Sequence, residues 1–182
     1  MATSSAYSIV KFSGLVGYGQ AEVNILDSSK KEEPLYLGLS LDYDFSQKLT
    51  FSLEHFRTAK PSPFGTKVGV TTFTARYSFF VPHVQVQLAD NKNTFDYFQQ
   101  RNIVPWLGLQ VGLAQATLFK TTTDPNDKDS SMTGFYLGTS VGADYSLGMD
   151  WGIRSELKWG SVVAGPGDLK FQSLAIGLFQ FL

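Results

Sequence analysis

The chain has 182 residues, enough for one domain, with 15 lysines and arginines against 16 aspartates and glutamates, and no cysteine. No basic excess points to nucleic acid and no acidic excess to disorder, while disulfides, thiolate nucleophiles and cysteine-held zinc are excluded. No stretch approaches the ~20 consecutive apolar residues of a spanning helix, so a membrane could be crossed only by strands. The N-terminus, "MATSSAYSIV", has neither a charged nor an apolar leader region. A cytosolic protein is one expectation from it; a mature chain whose leader gave way to an initiator Met is the other, and the strand pattern favours the second.

The first predicted strand lies in 6–23, "AYSIVKFSGLVGYGQAEV". Val10, Phe12, Val16 and Tyr18 share one face, and Lys11 and Ser13 the other. Ile9 and Leu15 fall on the Lys11 face, which predicts a bulge. "GLVGYG" (14–19) lacks the spacing and the following helix of a dinucleotide site. In 34–45, Leu35, Leu37, Leu39, Leu41, Tyr43 and Phe45 alternate with Tyr36, Gly38, Ser40, Asp42 and Asp44. After "FSQK" the pattern restarts in 48–58, with Leu49, Phe51 and Leu53 against Thr50, Ser52 and Glu54. In 66–80, Phe73, Ala75, Tyr77 and Phe79 oppose Thr72, Thr74, Arg76 and Ser78. Residues 80–103 break the rhythm with a long insertion, in which "NTFDYFQQR" has the look of a helical turn capped by Asn93 or Thr94. In 104–119, Leu107, Leu109, Val111 and Leu113 oppose Gly108, Gln110, Gly112 and Ala114, with Trp106 on the small-residue face. In 132–147, Leu137, Thr139, Val141, Ala143 and Tyr145 oppose Tyr136, Gly138, Ser140, Gly142 and Asp144. In 151–160, Trp151, Ile153, Leu157 and Trp159 oppose Arg154, Glu156 and Lys158. The last, 169–182, sets Leu174, Ile176 and Leu178 against Ser173, Ala175 and Gly177.

Eight alternating segments with almost no helical period predict an all-β, up-and-down antiparallel barrel forming a single domain over 1–182. The connections "FSQK" (45–48) and "LGMD" (147–150) are tight, whereas 24–33, 59–65, 120–131 and 161–168 are expected to be longer polar loops. Insertion 80–103 apart, long and short connections alternate, so one end of the barrel is trimmed and the other looped.

Alternation alone does not say which face is wet; side-chain size does. Eight strands enclose a lumen only just wide enough for side chains. Gly, Ser, Ala and Thr leave room there for a few long charged groups, whereas a lumen of Leu and aromatics would be crowded. The bulky apolar face is therefore expected outside, where lipid rather than water is its solvent, in a transmembrane barrel. Tyr43, Phe45, Tyr77, Phe79, Tyr145 and Trp151 fall on that face at the short-turn end, as an interfacial girdle would, and Trp159 fits the opposite girdle.

The same parity puts Lys11, Arg76, Arg154 and Lys158 in the lumen with Asp42, Asp44, Glu54, Asp144 and Glu156. Buried charges must pair. Turn 147–151 sets Asp144 across from Arg154, which predicts that ion pair, with Glu156 and Lys158 nearby and Arg76 near the depth of Asp44. A plugged, paired lumen is the plain expectation and an ion or proton path the sharper one. His55 has outward parity near the rim and no Ser–His–acid spacing, and His83 has no evident ligand partner. "DPNDKDSS" (124–131) is no calcium loop, since Lys128 stands where a ligand belongs and the required Gly is missing. No cofactor or metal is expected.

"FQSLAIGLFQFL", "PWLGLQVGLA" and "FTARYSFF" together resemble the small eight-stranded bacterial outer-membrane barrels of the OmpA/OmpX-like superfamily. Members commonly end in Phe; this chain ends Phe181-Leu182, with Gln180 where an apolar residue is usual, and the 80–103 insertion is atypical. The resemblance implies insertion into the outer membrane and a role in envelope integrity, adhesion or defence. The expected function is structural or surface-interacting, by a monomer with a closed lumen. Its partners would be membrane lipid or lipopolysaccharide, and an extracellular ligand met by loops 24–33, 59–65, 120–131 and 161–168. The alternatives are a narrow channel or transporter for small, hydrophobic molecules and, third, a lipid-modifying enzyme at the rim.

Overall fold

The computed structural model describes residues 10–25, 28–46, 48–59, 66–80, 103–119, 129–147 and 151–182. Nine strands run in chain order: β1 Val10–Ile25, β2 Ser28–Glu32, β3 Leu35–Asp44, β4 Leu49–Thr58, β5 Thr66–Ser78, β6 Ile103–Leu118, β7 Ser130–Ser146, β8 Trp151–Ala164 and β9 Gly167–Phe181. Each pairs antiparallel with its neighbours, and β1 pairs with β9 from Lys11–Phe181 to Ile25–Gly167, which closes the sheet. β2 and β3 share one register along β1, from Ala21–Glu32 to Tyr18–Leu35, and are parted only at Glu33 and Pro34. Pro34 has no N–H to give to the ladder, although its carbonyl still accepts from Gly19 N at 3.3 Å. The barrel therefore has eight staves, and among the described residues β2, paired with β1 alone, is the strand that keeps an open edge along its length.

The outside carries the belt that the sequence predicts. Leu37, Leu39, Leu41, Leu109, Val111, Ile176 and Leu178 are all exposed on it. Tyr43, Phe45, Tyr77, Phe79, Tyr145 and Trp151 ring the short-turn end, and Phe51 stacks on Phe73 at 5.5 Å between centroids. On β6 the belt runs from Ile103 to Leu113. Ten residue steps at about 3.3 Å each, tilted about 40°, make a band about 25 Å tall, the height of the lipid-facing band of a transmembrane barrel.

Beyond that band several staves invert. On β1 the outward residues change from Phe12, Val16 and Tyr18 to Gln20, Glu22 and Asn24, while the inward ones change from Lys11 and Ser13 to Ala21, Val23 and Ile25. On β5 outward Phe73 and Tyr77 give way to Thr71 and Lys67, and inward Arg76 and Thr74 to Val70 and Val68. β9 does the same, with Leu169 and Phe171 inside and Lys170 and Gln172 outside. The expectation of a small, polar lumen throughout therefore holds only for the half nearer the short turns. The other half is filled by a continuous apolar core that includes Leu15, Val23, Tyr36, Phe56, Met132, Tyr136 and Phe171. The physical reason is a change of solvent along one strand: outside the bilayer, water reverses which face must be buried.

Several expectations are corrected. β1 carries no bulge; its register is continuous, and Leu15 points inward because it belongs to the apolar core. The irregularity lies at Phe135/Tyr136 against β8. Segments 24–33 and 161–168 are not loops but the ends of long hairpins, since β1 runs to Ile25, β2 occupies 28–32, β8 runs to Ala164 and β9 starts at Gly167. Ser29, Lys31 and Asp168 face water from strands, whereas Lys30 and Glu32 lie on the inward face, half-buried. Residues 60–65 and 120–128, the insertion from 81 to 102 with His83, and most of turn 147–150 lie outside the described residues.

Candidate functional site

The lumen's lower half is a layer of ion pairs. Register explains how long side chains fit there. Arg154 lies across from Asp144 on β7 and Gly177 on β9, Glu156 between Gly142 and Ala175, Lys158 between Ser140 and Ser173, and Arg76 between Thr50 and Gly108. Large charged groups thus alternate laterally with small ones. At Gly142 an added Cβ would stand 2.5 Å from the Trp106 ring, so no larger residue fits beside that indole.

Arg154 is the hub. Its Nε and Nη2 donate to the two oxygens of Asp144, each at 2.8 Å. Nη2 also reaches Asp42 Oδ2 at 2.7 Å, and Nη1 donates to Ser13 Oγ and Ser40 Oγ, both at 3.3 Å. All five guanidinium N–H donors thereby find an acceptor. Arg76 donates to Asp42 Oδ2 at 2.9 Å and to Glu54, and its guanidinium lies 4.6 Å from the Trp106 ring centroid. Lys158 sits 2.6 Å from Glu54, 2.8 Å from Glu156 and 3.5 Å from the Phe56 ring centroid. Lys11 holds Asp44 at 3.2 Å and stands 4.0 Å from Asp144. Four cations thus face five carboxylates, and all nine except Asp144 are buried. Coulomb attraction between such pairs is strong in a low dielectric, but their desolvation costs nearly as much. With fewer cations than carboxylates, the loss of a cation such as Arg154 leaves a buried carboxylate short of a partner.

The predicted Asp144–Arg154 pair is therefore present, with Glu156 and Lys158 in the same layer. Arg76 shares a register row with Asp44 through Thr50, but its bonds go to Asp42 and Glu54. Sequence reasoning missed the neutral members. Gln110 Nε2 donates to Glu54 Oε2 at 3.3 Å, Trp106 Nε1 to Asp144 Oδ1 at 3.2 Å, and Thr50 Oγ1 to Asp44 Oδ1 at 2.6 Å. Their inward parity was the available signal. Above the layer the apolar core fills the bore, and Trp106 and Phe179, both almost fully buried, pack within the layer against Arg76 and Arg154. His55 faces outward, with Nδ1 2.9 Å from Thr71 Oγ1. Among the described residues no group of His, Asp and Glu could hold a metal ion.

No protein-family model matches the sequence, and no curated protein does. Solved structures match over nearly the whole chain. Neisserial surface protein A is 17% identical, with a TM-score of 0.62, covering 93% of this chain and 96% of its own. Ail, the attachment invasion locus protein of Yersinia pestis, is 14% identical, with a TM-score of 0.56 over 94% and 98%. The N-terminal β-barrel domain of Pseudomonas aeruginosa OprF is 13% identical, with a TM-score of 0.54 over 93% and 97%. At such identities the likeness is one of fold, and it agrees with the closed, lipid-facing sheet described above. The chain has the fold of the small eight-stranded bacterial outer-membrane β-barrels.

Proposed function

We propose that the chain is a monomeric, non-enzymatic barrel of the bacterial outer membrane. Its part beyond the lipid meets something outside the cell, while the charged lumen locks the staves together. The observation that carries this reading is a bore filled along its length: ion pairs in one half, with Asp42, Glu54, Arg76, Arg154, Glu156 and Lys158 almost wholly inaccessible, and an apolar core in the other. A conducting path needs continuous water, and a charged layer under a dry plug has none. The apolar belt runs round all eight staves, which suits a monomer surrounded by lipid on every side. His55, bonded to Thr71 rather than to an acid, speaks for a non-enzymatic rim.

Strands that stand clear of the bilayer suit surface interaction. Ail of Yersinia pestis, which shares the fold, has been crystallised in complex with the heparin analogue sucrose octasulfate. From that fold likeness we take only the class of role, contact with a molecule outside the cell. Planar-bilayer recording of the refolded barrel tests the closed lumen. No current above that of the lipid alone is expected; a steady conductance would replace this reading with a narrow channel.

A further inference from the structure

On the outside of the barrel, where the belt ends, a pocket of about 270 Å³ lies over β9, between Tyr18 on β1 and Trp159 on β8. Register builds it: Leu174 lies across from Tyr18 and from Leu157, and Gln172 across from Gln20 and from Trp159. The two aromatic walls stand two strand spacings apart across the sheet and two residues apart along it, about 12 Å between their backbones, which leaves room for a single ring between them. The lower floor is Leu174, half exposed within the belt. The upper edge is a chain of polar groups. Gln172 Nε2 donates to Gln20 Oε1 at 3.0 Å, Gln20 Nε2 to Glu33 Oε1 at 3.2 Å, and Tyr18 O–H to Glu33 Oε2 at 2.6 Å. Lys158, the only cation among the lining residues, sends its ammonium into the lumen.

This donor set selects among headgroups. Carboxamides both give and accept hydrogen bonds, as hydroxyls do, and a carboxylate accepts them. Aromatic walls suit the C–H faces of a sugar ring, and chained amides are ordered before any ligand arrives. A phosphate would meet the Glu33 carboxylate inside the pocket, and the nearest outward cation, Lys31, acts on Glu33 from outside the lining. Because the floor continues into the belt, the occupant's lower part must be apolar.

We infer that this pocket is a headgroup site for a neutral glycolipid of the outer leaflet. One sugar ring lies between Tyr18 and Trp159, its hydroxyls on Gln20, Gln172 and Glu33, and its acyl chains run down over Leu174. The site rests on the barrel lying in lipid and not on the closed lumen.

The test uses the refolded barrel in phosphatidylcholine nanodiscs with a rising fraction of monoglucosyl diacylglycerol. The indole N–H signal of Trp159, assigned by its loss in Trp159→Phe, is followed by NMR. A saturable shift is expected, weakened about tenfold in Gln172→Leu and in Gln20→Leu. Phosphatidylglycerol in place of the glycolipid should leave the signal unmoved, and so should free glucose. An equal shift with phosphatidylglycerol, or full retention in both leucine variants, overturns the site; a shift with free glucose overturns its lipid source. Both glutamines are on the outside, and heat-modifiable gel mobility reports that each variant is folded. Failure of the wild-type chain to enter nanodiscs at all would strike the membrane reading instead.

Discussion

Replacing Arg154 by Met removes five hydrogen-bond donors and one positive charge from the middle of the lumen. Asp144 keeps only Lys11 at 4.0 Å and the Trp106 indole, and Asp42 keeps Arg76 and Ser40. Four cations against five carboxylates become three against five. Stranding one partner of a buried pair costs about 3–5 kcal/mol. With a urea slope of about 2 kcal/mol per molar, the unfolding midpoint should fall by about 1.5–2.5 M. The assay is urea titration of the refolded barrel, read by heat-modifiable mobility and tryptophan emission. The double variant Arg154→Met with Asp144→Leu should recover a large part of the loss, because an apolar pair of similar volume strands no charge. An Arg154→Met cost below about 1 kcal/mol, the range of an exposed pair, would refute the reasoning.

Three further outcomes follow from the same geometry. Leu109→Arg, at the middle of the belt, should cost about 2–4 kcal/mol in lipid, whereas Gln115→Arg, beyond its edge on the same strand, should cost at most about 1 kcal/mol; equal costs in refolding titrations would misplace the bilayer. Phe171→Ala opens the apolar core of the protruding half and should cost about 3–5 kcal/mol, with amide exchange rising first in the hairpins of β1–β2 and β8–β9; exchange rising first in the ion-paired half would count against two separate interior layers. The hydrogen bond from Tyr18, then that from Gln20, holds the Glu33 carboxyl below its ordinary value. A depressed folded pKa means that the tether contributes at neutral pH and is lost as pH falls through that value. NMR titration of the Glu33 side chain should give a midpoint below the usual carboxylate range, moved up toward it in Tyr18→Phe.

The lipid-spanning half of the fold was legible because one solvent acts along it. Leu35 to Phe45 against Tyr36 to Asp44 gives a constant sign, and side-chain size settles which sign points inward. Arg154 opposite Asp144 then needs only a tight turn. The other half was read badly for the same reason. Val23 and Ile25 sit on the parity of Lys11, so a rule of one polar face mistook Leu15 for a defect in β1. "DSSKKEE" looks like loop because β2 has no greasy face of its own; its backbone pairs with β1, a partner that local composition does not reveal. Trp106 counted against the parity until the Arg76 guanidinium gave its ring a reason to face inward.

The reversal of polarity along the staves also sets the barrel's draught. A shift outward by one pair of residues would lift a ring of leucines and aromatics into water; the same shift inward would drag Gln20, Thr71, Gln115 and Gln172 among acyl tails. Both displacements meet resistance on several staves at once, so the belt itself sets the level at which the molecule floats. A partner approaching from outside would therefore find its landing surface at a constant height above the lipid.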